Sequence, residues 1–331
     1  MMDRRGVLGL SVPAALGVMT LPAAAERRPR FNIDEPLQKL AELPGTSSYK
    51  FEVGTNGTIF NAAYRSDAQM FVGSAVKTFF LLKFLQDVER GKKSESDLLP
   101  VNNKIRSLSS PVFLNLRGET PARSLLEAMI THSDNTATDA ILKSVGPQRV
   151  RRLVRRMGLK SIRFPGSTRL LFSYLAGAPY GVDKGWRGMK AIMQDKLFGF
   201  PRSPDNGRET MKGSADDFVE YYTRALSGEF FKSPATLTEF KRIQAMASAI
   251  VRVVPADTVA YAKGGSIEWL DFNALCLPGQ MIVSGTPVTF CVTVNWDGPP
   301  DTIPVVSGQL VEAMSEILLE IAKTLAPGQY S

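Results

Sequence analysis

Ser74 and Lys77 stand three residues apart in the stretch Phe71-Val72-Gly73-Ser74-Ala75-Val76-Lys77. At that spacing on a helix, a hydroxyl and an amine share one face and can meet. A serine in a first helical turn also sits among free backbone N–H groups that favour negative charge. It becomes a nucleophile if a neighbour takes its proton, and a lysine does so once burial or nearby cations lower its pKa. The plainer alternative is a capping serine followed by a surface lysine. Two further stretches could complete a site. In Thr131-His132-Ser133-Asp134-Asn135-Thr136-Ala137, Ser133 could relay a proton and Asn135 could bind the lysine or a substrate amide; otherwise Ser133 or Asp134 is only a helix cap. In Tyr261-Ala262-Lys263-Gly264-Gly265-Ser266, glycines at a strand end would let a substrate backbone lie along the edge, beside the charge of Lys263. Alone, that stretch is a strand running into a turn.

Taken in order, Ser-x-x-Lys, Ser-Asp-Asn and Lys-x-Gly form the motif set of penicillin-recognising serine enzymes. Over residues 30–326 the chain resembles the class A β-lactamase family, including the text around Ser133 and the lysine motif ahead of a final hairpin. The resemblance implies an acyl-enzyme on Ser74, with Lys77 as neutral base or relay and Ser133 serving the leaving group's proton. Asn135 would hold a substrate amide, and Lys263 would attract a carboxylate beside Gly265. The backbone N–H groups of Ser74 and Ser266 would form the oxyanion hole.

Two departures stand out. Gly264 occupies a place where the family has threonine or serine, so one substrate-binding hydroxyl is missing. The family's deacylating glutamate has no counterpart either. Counting forward from Arg156-Met157-Gly158 reaches Thr168, whereas counting back from Pro204-Asp205-Asn206-Gly207 reaches Gln194 or Asp195. The loop therefore carries an insertion, and Asp195 is the carboxylate nearest either register. The expected function is a secreted serine hydrolase opening a β-lactam amide. A D-alanyl peptidase, amidase or esterase using the same serine is the alternative, and a non-hydrolytic penicillin-binding sensor a second one.

Composition narrows the field. The 331 residues are 44% apolar and 22% charged, as in globular proteins. The net charge of +8 suits a small-molecule or peptide substrate bearing a carboxylate. The basic residues are dispersed, and the densest group (Arg149, Arg151, Arg152, Arg155, Arg156) reads as a solvated helix face, so no nucleic-acid partner is expected. With His132 as the sole histidine, a Ser-His-Asp triad and a histidine metal site are disfavoured, and neither metal nor cofactor is expected. Cys276 and Cys291 lie in consecutive strand-like segments, joined as a disulfide or free as buried thiols.

Residues 1–25 read as a twin-arginine signal peptide, from Arg4-Arg5 through an apolar run to Ala23-Ala24-Ala25. A monomer in the periplasm or outside the cell, without a membrane span after processing, follows as the expectation. Residues 26–331 read as a single catalytic domain of α+β class. Strands from both chain ends (about 30–68 and 252–331) would form one mostly antiparallel sheet, and an all-helical block (about 69–251) would be inserted between them. A helix is predicted from Ser74 to about Arg90, and residues 159–212 read as loop with one helical piece near Gly188–Lys196. A cleft between sheet and helices is the natural place for a site.

Overall fold

The computed structural model describes residues 29–330. The expected signal peptide lies outside them. In chain order the elements begin with α1 (Asp34–Ala41), β1 (Thr46–Val53), β2 (Phe60–Tyr64), β3 (Met70–Phe71) and a 3-10 turn, Gly73–Val76. Then come α2 (Lys77–Glu89), β4 (Leu98–Val101), β5 (Gly118–Pro121), α3 (Ala122–Thr131), α4 (Asn135–Val145) and α5 (Pro147–Arg156). Next are α6 (Thr168–Leu175), α7 (Gly185–Ile192), β6 (Lys212–Gly213), α8 (Ala215–Leu226) and α9 (Pro234–Gln244). The chain closes with β7 (Val259–Ala262), β8 (Gly265–Trp269), β9 (Phe272–Val283), β10 (Thr286–Asp297) and α10 (Thr302–Leu325).

The expected meeting of the two chain ends is found. The main sheet runs β2-β1-β10-β9-β7, with β8 also paired to β9, and all pairs are antiparallel. β7 and β8 are two halves of one edge strand. Ala262 faces Gly279 and Gly265 faces Cys276, so the register is unchanged across the interruption at Lys263-Gly264. Lys263 falls opposite Pro278, which has no N–H to give the ladder. The two lysine-motif residues therefore leave regular pairing where the site needs them. The sequence suggested that the strand stops at the glycines; it continues past them.

α2 is enclosed on every side: residues Lys77–Asp87 are all buried, the apolar Phe79, Phe80, Phe84 and Leu85 beside an internal Lys83–Asp87 ion pair. A helix buried all round belongs in the middle of a protein. α4 is almost as enclosed. The N-termini of these two helices carry the Ser-x-x-Lys and Ser-Asp-Asn motifs, so burial of the helices fixes both motifs together. The inserted block holds, besides helices, two short ribbons that the sequence did not signal, β3 with β6 and β4 with β5. Residues 159–212 contain α6 as well as the foreseen helix, which begins and ends earlier, at Gly185–Ile192. No helix among the described residues is long and apolar enough to cross a membrane. Cys276 and Cys291 are buried free thiols.

Candidate active site

Ser74 lies in the 3-10 turn, and the Lys77 N–H donates to the Ser74 carbonyl. A 3-10 helix eclipses residues i and i+3 more closely than an α-helix does, which stacks the serine over the lysine. The Lys77 amine is fully enclosed. Its Nζ donates to the Ser133 carbonyl at 2.5 Å, Ser133 Oγ at 3.1 Å and Asn135 Oδ1 at 2.7 Å. Burial drives its pKa well below the ordinary lysine value, and the nearby charge of Lys263 adds to the effect. The carboxylates of Asp134 and Asp139 oppose it. A buried amine so placed can shed its proton and serve as a base.

Ser133 has φ +57°, a left-handed conformation unusual for a residue with a side chain. That bend turns both its carbonyl and its hydroxyl onto Lys77. The next residue holds it there: the buried Asp134 carboxylate accepts N–H bonds from Val112 at 2.9 Å, Phe113 at 2.9 Å and Ala137 at 2.8 Å. Asp134 is thus the cap of α4 and the anchor of the 110–113 segment at once. Asn135 gives its amide N–H to the Leu108 carbonyl at 2.9 Å, which fixes its Oδ1 toward the lysine.

The backbones of the first and third motifs touch. A methyl group on Gly265 would stand 2.7 Å from the Ser74 nitrogen, and one on Gly73 (φ +52°) would stand 2.9 Å from the Ser266 nitrogen. Only glycine permits that approach on both sides. The N–H groups of Ser74 and Ser266 consequently come from segments in direct contact. Asn295 on β10 secures the approach: its Oδ1 accepts from Phe71 N–H and its Nδ2 donates to the Phe71 carbonyl, both at 2.9 Å. Sequence reading missed Asn295, because a polar residue in a strand normally marks a solvent face. The Lys263 amine is buried and donates to the Gly264 carbonyl at 2.5 Å; burial pushes its pKa down to about 7.

A cleft of about 450 Å³ opens over these groups, with Ser74, Ser133, Asn135, Thr168, Ser266 and Glu268 among its lining residues. Of the two loop registers, the structure brings Thr168 to the cleft. Its Oγ1 donates to Ser107 Oγ at 2.7 Å, so its hydroxyl is already engaged. Asp195 does not take part: it lies exposed just beyond α7, outside the lining of this cleft. The inserted residues form α7, whose Met189 and Ile192 pack on Leu108 and Ala176, and Asp195 lies beyond its end. Among the described residues, Glu268 on β8 is the one carboxylate lining the cleft, and sequence reading passed over it because β8 was taken for a turn.

Beneath Thr168 lies Asp139, whose carboxylate accepts N–H bonds from Thr168 at 2.7 Å and Arg169 at 3.3 Å. Burial nevertheless pushes its pKa up from 3.8 to about 6. A carboxyl with a raised folded-state pKa contributes its stability at low pH, and that contribution is lost as pH climbs to about 6. Asp139→Asn should therefore stabilise the protein at pH 8 by up to roughly 3 kcal/mol relative to its effect at pH 4. Urea denaturation at both pH values checks this, and a difference independent of pH would contradict it.

The comparisons with known proteins agree with this geometry. A profile of the beta-lactamase enzyme family matches residues 33–273. A beta-lactamase of Streptomyces fradiae is 29% identical over 167 residues, 47% of this chain and 54% of that protein, so the alignment spans about half the length of the relative. Among solved structures, a beta lactamase from Burkholderia vietnamiensis has a TM-score of 0.66 at 18% identity, over 87% of this chain and 96% of that one. PBP-A has a TM-score of 0.65 at 15% identity, over 87% and 95%. These two structural likenesses speak for the fold. The profile spans most of the chain and contains the first two motifs and the lysine motif, and on that match the chain belongs to the beta-lactamase enzyme family.

Proposed function

We propose that the protein is an exported serine hydrolase that forms an acyl-enzyme at Ser74 with a β-lactam amide. The observation that supports this reading is the buried Lys77 amine, held by Ser133 and Asn135 three residues on from Ser74. Ser74 Oγ attacks the carbonyl carbon and passes its proton to neutral Lys77. The oxyanion so formed is met by the N–H groups of Ser74 and Ser266. On collapse, the C–N bond breaks and its electron pair stays with nitrogen. The proton moves from Lys77 through the Ser133 hydroxyl to that nitrogen. Water then hydrolyses the ester and restores Ser74.

Of the described loop residues lining the cleft, Thr168 is the polar one, and its hydroxyl is committed to Ser107. Hydrolysis of the ester is accordingly expected to be slower than its formation. The same observation favours the second reading, a D-alanyl peptidase or amidase on a carboxylate-bearing peptide, acting as a monomer with the same serine.

Intact-mass spectrometry after incubation with a penicillin tests the proposal. A stable adduct should appear and map to Ser74, and Ser74→Ala should give none. Absence of an adduct on the native protein would remove the β-lactam reading. Release of D-alanine from a peptide without β-lactam turnover would favour the second one.

A further inference from the structure

The arginines of α5 do not form the single solvated face that their density in the sequence suggests. Arg149 turns to the buried Asp87 at 3.0 Å, while Arg152 and Arg156 are exposed. Arg151 and Arg155 line a cavity of about 740 Å³, where Lys160, Arg163 and Arg208 join them from other segments. Among the described residues, none lines both this cavity and the Ser74 cleft. We infer that the cavity is a second binding site, for a small ligand carrying two phosphate groups.

Unpaired charge is the first ground. Elsewhere the cations find carboxylates: Lys39 pairs with Glu35 and Glu316, Arg224 with Glu220 and Glu229, and Arg242 with Glu127 and Glu239. Among the described residues, none of the five cations in this wall has such a partner. Glu209 is the one carboxyl among them; burial raises its pKa, against the pull of Arg151. Val154, Leu159 and Phe164, all buried, give the cavity an apolar base. Like charges over such a base focus their field into the hollow. The C-terminal end of a helix attracts cations, which accounts for Arg155 but not for Arg163 or Arg208.

The second ground is that the guanidinium groups are held in place. Arg151 Nη2 donates to the Phe164 carbonyl at 3.0 Å, with its guanidinium 5.3 Å from the Phe164 ring centroid. Arg163 Nη1 donates to the carbonyls of Lys160 at 3.0 Å and Ile162 at 3.2 Å. The Arg208 guanidinium lies 5.5 Å from the Tyr180 ring centroid. Phe164 is itself set edge-on against Phe80 of the buried α2, with centroids 5.1 Å apart. Groups fixed in this way keep donors free and lose little freedom when a ligand arrives.

Size and charge together name the ligand. The volume falls within the range of small-molecule sites. Five cations against one carboxyl leave a net four charges to be met. A phosphate group brings about −1.5 to −2, so two of them meet that balance, whereas a carboxylate ligand would need four acid groups in the same space. The guanidinium fork also takes phosphate oxygens two at a time.

Calorimetric titration of the full chain with pyrophosphate tests the site. One pyrophosphate should bind per chain, at least about tenfold tighter than inorganic phosphate, because it engages a second set of charged donors. Arg151→Gln and Arg208→Gln should each weaken binding at least about tenfold on the same grounds. The Arg208 side chain makes no hydrogen bond among the described residues, so its replacement leaves the fold alone. Arg152→Gln, on the same helix but outside the wall, should change the affinity by less than about twofold, since salt screens an exposed charge at that remove. Lys263→Ala, in the Ser74 cleft, should have as little effect. Equal losses at Arg151, Arg208 and Arg152 would mean general attraction alone, and a loss confined to Lys263→Ala would place the anion in the cleft. Either overturns the inference, as does absence of pyrophosphate binding. A single-stranded oligonucleotide that binds more tightly than pyrophosphate, and is released by the same arginine replacements, overturns it in favour of a polymer. Vesicles containing a bisphosphorylated lipid separate the two sources of the ligand. Sedimentation with them that is lost in Arg208→Gln assigns a lipid headgroup; pyrophosphate binding without sedimentation assigns a soluble ligand, and both results uphold the site.

Discussion

Lys77→Met should lower the rate of Ser74 acylation by about 1,000-fold, within the range that a positioned general base contributes. Methionine matches the length of the lysine stem and keeps α2 buried, but it can neither take the serine's proton nor pass one to Ser133. Adduct formation by intact mass gives the rate constant directly, and a loss of less than tenfold would assign the base elsewhere. The pH profile supplies the sign. Burial and Lys263 both lower the Lys77 pKa, so its neutral, active fraction grows as pH rises through that lowered value. Acylation by the native protein should climb with pH and level off, and the climb should vanish in Lys77→Met. Lys263→Ala removes the neighbouring positive charge, which raises the Lys77 pKa and moves the climb to higher pH. A climb that stayed in place would mean that the two amines do not sense each other.

Asp134→Ala should cost roughly 4 kcal/mol of stability, since hydrogen bonds to charged groups are worth about 1.5–3 kcal/mol each and three are lost together without full additivity. The carboxylate is wholly buried and accepts from Val112, Phe113 and Ala137, so an alanine leaves three backbone donors facing a void. For a chain of this size the midpoint of thermal unfolding should fall by about 8 °C. Asp134→Asn keeps an acceptor at the same place and should lose about half as much. The variants should also acylate more slowly, because the left-handed bend at Ser133 depends on the residue that follows it. Denaturant titration measures the first effect and adduct formation the second. A loss below 1 kcal/mol would show that the 110–113 segment holds itself.

The parts of the site carried by spaced side chains were legible in the sequence. Ser74, Lys77, Ser133, Asn135, Lys263 and Ser266 each carry a functional group at a distinctive interval, and the local text placed them at a helix start, at a helix cap and at a strand's end. What stayed hidden had no such signature. Thr168 and Asp195 were equally plausible because an insertion shifts the count, and only the path of the folded loop separates them. β8 was hidden because two glycines mimic a strand's end, yet here they allow backbone approach to the 3-10 turn. Asn295 gives no local cue, since its partner Phe71 is 224 residues away.

The clamp at Phe71 also bears on how the molecule fails when heated. Both polar atoms of the Asn295 amide grip the peptide just upstream of the nucleophile, and Asn295 sits in the long strand paired to β1 and β9. Ser74 is therefore tied into the most cross-linked part of the sheet instead of riding on a segment that could fray first. Loss of reactivity on warming should coincide with melting of the whole domain, with no dormant but folded form in between.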